Sequence, residues 1–120
     1  MKVGYVVLYV NDAEACRRFW VEHVGMVDKK RVEVGAFTIA RVGFADQPFA
    51  FELVPLAMMK DNPDGLDLAT PSIAFNVDDL DAARAELVGR GVQATEVGDH
   101  QGTASFAFSD PEGRWFAVTG

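Results

Sequence analysis

Val3-Gly4-Tyr5-Val6-Val7-Leu8-Tyr9-Val10-Asn11-Asp12 decides the fold, because an echo of it, Ser72-Ile73-Ala74-Phe75-Asn76-Val77-Asp78-Asp79, returns later in the chain. Each is a run of β-branched and aromatic residues that stops at side chains able to cap a helix. Val3 to Val10 therefore predicts a strand and Asn11 a helix cap, with Glu14 three residues on completing a capping-box pattern. Cys16, Phe19, Trp20 and His23 then recur at three- and four-residue steps, which makes one helical face. Gly25 supplies a residue that tolerates positive φ beyond the helix end. Three strand-like runs follow, Val27 to Val34, Phe37 to Phe44 and Phe49 to Val54.

Met58 to Leu68, holding Asn62-Pro63-Asp64-Gly65, has no periodicity and reads as a turn-rich connector. The pattern then starts again. Ser72 to Val77 predicts a strand, Asp78 a cap, and Leu80, Ala83, Leu87 and Val88 a helical face that ends at Gly91. Val92 to Val97, Thr103 to Phe108 and Arg114 to Thr119 predict three more strands. Asp12 and Asp79 lie 67 positions apart, Gly25 and Gly91 66, and Glu52 and Ala117 65. A near-constant offset at helix starts, helix ends and last strands marks a duplication. The expected fold is α+β: two tandem βαβββ modules, 1–57 and 69–120, joined by a connector at 58–68. One helix covers one face of a sheet, so the two sheets are expected to curve around a shared, partly open cavity.

Composition narrows the partners. A chain of 120 residues, 49% hydrophobic and 24% charged, suits one globular domain. Eleven basic against eighteen acidic residues leave a net charge of −7. Nucleic-acid and anionic-membrane binding both draw on lysine and arginine, so neither is expected. A neutral or cationic small molecule fits better. Cys16 is the single cysteine, which rules out an intramolecular disulfide and a cysteine-rich zinc site. The apolar run from Met1 to Val10 is too short for a secretion signal or a membrane span, so a cytoplasmic location is expected.

The ordered set Tyr5-Val6-Val7-Leu8-Tyr9-Val10-Asn11-Asp12, Phe19-Trp20, Val24-Gly25-Met26, Ile73-Ala74-Phe75-Asn76-Val77-Asp78-Asp79-Leu80 and Asp110-Pro111-Glu112-Gly113 resembles the glyoxalase, bleomycin-resistance and dioxygenase group, the vicinal oxygen chelate fold. The last of these stretches also has a local meaning. Asp first, Pro second and Gly fourth suit a type I turn between the final two strands. In the metal-dependent members that the chain resembles, ligands come from the first and last strands of each module. Carried over one by one, those positions fall on Tyr5, Glu52, Ser72 and Ala117, of which only Glu52 is a good donor. Divalent metals want several His, carboxylate or thiolate ligands at once, so no metal and no other cofactor is expected. His23 falls on a helix and His100 in a turn, where it reads as a solvated loop residue.

Period-two alternation sets Tyr5, Val7 and Tyr9, Ala50, Glu52 and Val54, Ser72, Ala74 and Asn76, and Trp115 and Ala117 on the faces turned from the helices. Tyr5, Val7, Glu52, Ser72, Asn76 and Trp115 are the candidate ligand-binding residues. Their lining of aromatics, small residues and one carboxylate suits a flat aromatic ligand or a cation facing a ring. Tyr5 and Trp115 have an alternative as packing, as do Phe19, Trp20, Met58 and Met59. A hairpin turning at Asp46 and Gln47 would set Arg41 opposite Glu52, so that carboxylate has an ion-pair reading beside the ligand-contact one.

Three functions follow. Resemblance to the metal-free bleomycin-resistance branch implies a homodimeric protein that sequesters a small molecule. Resemblance to the enzymes implies a metal-dependent lyase, isomerase or dioxygenase with atypical ligands. A metal-free enzyme would use Glu52 as catalytic general base, with Tyr5, Ser72 and Asn76 the candidates to stabilise an oxyanion.

Overall fold

The computed structural model describes residues 1–100 and 102–120, and of His100 the backbone alone. The chain forms two compact units, Met1–Thr70 and Pro71–Gly120, so the 58–68 segment falls within the first. Each unit runs strand, helix and three strands, and each carries one open four-stranded sheet.

In the first unit the strands are β1 (Val6–Val10), β2 (Val27–Val34), β3 (Phe37–Gly43) and β4 (Phe51–Pro55), in the order β1-β4-β3-β2. β1 and β4 are parallel with Val7 beside Glu52, and β3 and β4 are antiparallel with Arg41 beside Glu52. The expected hairpin register is therefore the observed one. Helix α1 (Ala13–Arg18) continues with π-helical spacing over Phe19–Val24. That wider stretch ends at Gly25, whose N–H reaches back five residues to the Trp20 carbonyl from a φ of 98°. Trp20 is fully buried and meets Phe51 edge-on at 5.1 Å, while Leu8, Val10, Val42 and Leu53 complete the core. His23 is half-buried and stacks on Phe19 at 5.7 Å.

The second unit repeats this with β5 (Ala74–Asn76), β6 (Gly98–His100), β7 (Thr103–Ser109) and β8 (Trp115–Thr119), ordered β5-β8-β7-β6. Phe75, Phe108 and Phe116 form a ring cluster with centroids 5.8–6.3 Å apart, on the face that also buries Phe106 and Val118. Helix α2 (Leu80–Gly89) keeps Leu80, Ala83 and Leu87 partly covered and turns Val88 outward.

Several local expectations are corrected. The caps are Asp12 and Asp79, one residue later than Asn11 and Asp78. Each carboxylate accepts the N–H three residues on, from Ala15 and Ala82, at 3.0 Å. Glu14 closes no capping box and instead takes the Arg17 guanidinium at 2.7 Å. That bond holds the Glu14 carboxyl below its ordinary pKa. The run from Val92 to Val97 is not a continuous strand. Ala94 bridges Phe108, then the pairing slips by one residue before Gly98, and the Thr95 hydroxyl accepts the Ala107 N–H. The same slip occurs in β2 between Asp28 and Lys30, so the duplication preserves even its bulge. His100 closes β6 opposite Thr103 instead of lying in the turn, and its side chain lies outside the described residues.

Asp110 to Gly113 forms the expected turn, with the Gly113 N–H on the Asp110 carbonyl at 3.2 Å and Gly113 at a φ of 80°. Oδ1 of Asp110 accepts the N–H groups of Glu112 and Arg114, both at 2.9 Å, and Oδ2 accepts from Arg114 Nη1 at 3.3 Å. Burial works against the Arg114 charge. Its bond to Glu112 and the nearby Asp110 outweigh that and hold its pKa above the ordinary arginine value. The motif closes a hairpin and needs no ligand.

Candidate functional site

Alternation leaves each sheet one face turned from its helix, and the two faces differ in chemistry. In the first unit the central row of that face is Val7, Glu52 and Arg41, on adjacent strands. Arg41 Nε donates to Glu52 Oε1 at 3.0 Å, with the side chains 26% and 16% exposed. The guanidinium carbon lies 3.8 Å from the centroid of the Tyr5 ring. Tyr5 stands just before β1, 40% exposed, so its ring faces a cation supplied by the chain itself. Both sequence readings of Glu52 are compatible with this: the ion pair forms, and one oxygen remains unengaged by it.

The corresponding row of the second unit is Ala74, Ala117 and Ala107. Three methyl groups replace Val7, the carboxylate and the guanidinium. Asn76, exposed at the end of β5, donates from Nδ2 to the Thr119 carbonyl at 3.4 Å and hydroxyl at 3.3 Å. Trp115 opens β8 at the other end of that face, 47% exposed, and pairs with Ser109 of β7. Ser72 is exposed two residues before β5 begins, outside the ladder.

The structure thus brings Tyr5, Val7 and Glu52 together in the first unit and sets Asn76 and Trp115 at opposite ends of one face in the second. The residue that sequence reasoning left outside the site is Arg41. Its signal was present, since the register that pairs it with Glu52 sets it on the same face as Val7, one strand beyond β4. What alternation could not supply was that Tyr5, beyond the strand end, folds back over it.

A metal can be tested against the chemistry of these donors. Glu52 is already held by a guanidinium, whose positive charge repels a second cation. Ala117 has no donor atom, and Tyr5 and Ser72 are neutral hydroxyls. This set does not fit a divalent ion.

The βαβββ duplication, the two sheet orders and the positions of these residues define a family. The chain belongs to the Glyoxalase/Bleomycin resistance protein/Dioxygenase superfamily, whose model matches residues 2–118. Among solved structures it is similar to TnmS3, an antibiotic binding protein from Streptomyces sp. CB03234, with 23% identity, a TM-score of 0.81, and coverage of 99% of this chain and 94% of that one. A superfamily member from Sphaerobacter thermophilus DSM 20745 gives 21% identity, a TM-score of 0.82 and coverage of 99% and 96%. A glyoxalase/bleomycin resistance protein from Streptomyces sp. CB03234 gives 22%, 0.74, and 97% of each chain. At these identities the likeness establishes the vicinal oxygen chelate fold alone. No curated protein matches the chain. Among the described residues, no helix is long and apolar enough to cross a membrane.

Proposed function

We propose that this protein is a metal-independent binding protein that sequesters an aromatic or cationic compound in a cavity at a homodimer interface in the cytoplasm. One observation carries the reading: at the two last-strand positions where the enzymes would place carboxylate ligands, this chain has a glutamate bonded to arginine and an alanine. Sequestration needs affinity and no reacting group, so that loss is no obstacle. The exposed ring of Trp115, the flat alanine row beside it and the acidic balance of the chain support an aromatic occupant. The similarity in fold to an antibiotic binding protein agrees with it. The reading of Glu52 as a general base gains no support from a carboxylate whose Oε1 already accepts a guanidinium N–H.

A thermal-shift panel of cationic aromatics, neutral aromatics and divalent metals tests the proposal. A ligand at a hundredfold its Kd adds about 2.7 kcal/mol to the native state, or roughly 10 °C in a domain of this size. Aromatic compounds are expected to raise Tm in chelator-treated protein. A rise given by divalent metals, with none from any aromatic, would overturn it.

A further inference from the structure

Two arginines of this chain meet a glutamate in different ways. Arg17 uses Nε and Nη2 on the two oxygens of Glu14, at 2.9 and 2.7 Å, and spends Nη1 on Asp28 at 3.1 Å. Arg41 makes one bond, from Nε to Glu52 Oε1, although a forked contact with both oxygens is the geometry the two groups favour. Among the described residues neither Nη1 nor Nη2 of Arg41 reaches a protein acceptor, and Glu52 Oε2 takes no donor. The side chains are 26% and 16% exposed, and none of their polar atoms is both fully buried and without a hydrogen bond, so the free groups of this pair stay reachable from outside. A half-covered polar group of this kind gains from a partner that supplies the missing bonds. The Tyr5 ring lies against the guanidinium, so Arg41 is stacked as well as paired.

We propose that Arg41 and Glu52 form a donor–acceptor clamp for a neutral carboxamide-type group on the bound aromatic compound. The Nη groups donate to its carbonyl oxygen, and Glu52 Oε2 accepts its N–H. The pair sums to zero charge, which selects the sign of the ligand. A carboxylate would satisfy Arg41 and meet the free oxygen of Glu52; an amidinium would satisfy Glu52 and meet the Nη groups. A group with one acceptor and one donor side by side satisfies both. This rests on the proposal that the open face of the first unit binds the ligand, and it adds Arg41 to the binding residues and a polarity to the occupant.

The test is a titration of the full chain with naphthalene-2-carboxamide, the matching carboxylate, amidine and methyl ester, followed by nitrogen–proton spectra that include the arginine Nε–H signals. The carboxamide is expected to bind at least tenfold more tightly than each of the other three and to shift the Arg41 Nε–H. Arg41→Met should remove that preference. The double variant Arg41→Met with Glu52→Leu, which leaves no lone charge behind, should bind the carboxamide and the methyl ester equally. Tighter or equal binding of the carboxylate or amidine, or a preference that survives both variants, would overturn the clamp and leave the binding function standing. Failure of all four probes to bind would overturn both.

Discussion

Replacing Asp110 by alanine should destabilise the second unit. The Asp110 side chain is 1% exposed, and its two oxygens hold the Glu112 and Arg114 N–H groups and the Arg114 guanidinium. Hydrogen bonds to an ionised group contribute about 1.5–3 kcal/mol each, and the two at 2.9 Å dominate here. Arg114 keeps Glu112 at 2.9 Å, so its charge is not stranded. The expected cost is about 3 kcal/mol for Asp110→Ala. Asp110→Asn retains a carbonyl acceptor for both N–H groups and loses the charge, which should cost about 1 kcal/mol. At roughly 4 °C per kcal/mol these are falls of about 12 and 4 °C in Tm. Urea unfolding followed by circular dichroism, with the m-value checked for constancy, measures both. An alanine variant no less stable than the asparagine one would refute the account of this turn.

Asp12→Ala and Asp79→Ala should each cost about 1 kcal/mol, the usual value of a helix cap, and the double variant about 2, because each carboxylate caps the helix of its own unit; urea melts of the three chains check the additivity. Gly43→Ala should cost about 1–3 kcal/mol, since its Cβ would stand 2.4 Å from the Phe49 carbonyl, a backbone atom that cannot rotate away; the same melts read it. Glu14 has its folded pKa lowered by the bond from Arg17, so its share of stability is present above the unfolded value of about 4.5 and fades as pH falls through the folded one. Screening at this exposed pair keeps that share to a few tenths of a kcal/mol. Glu14→Gln should therefore be slightly less stable than the parent at pH 7 and equal to it near pH 2. A difference that grows on acidification would contradict the pairing.

Much of the fold is legible in the sequence because duplication states each signal twice. Asp12 with Asp79 and Gly25 with Gly91 bracket both helices at nearly the same offset. The Arg41–Glu52 pairing followed from hairpin register alone. The cap positions slipped by one because Asn11 and Asp12, like Asp78 and Asp79, are adjacent residues of equal capping chemistry, and only backbone geometry chooses between them. The run from Val92 to Val97 looks like a strand by composition, yet Thr95 gives the Ala107 N–H a hydroxyl acceptor where a ladder carbonyl would stand. Tyr5 and Ser72 were assigned to strands that in fact begin at Val6 and Ala74. Alternation therefore says less about where their side chains point, and the contact between Tyr5 and Arg41 had no sequence signal of its own.

Titration calorimetry of naphthalene-2-carboxamide into the protein, before and after treatment with a chelator and with metal content measured on both samples, addresses metal-independent binding without an intermediary. The same stoichiometry and affinity in both is the predicted result. Binding that disappears with the chelator and returns with one divalent ion per subunit would contradict it.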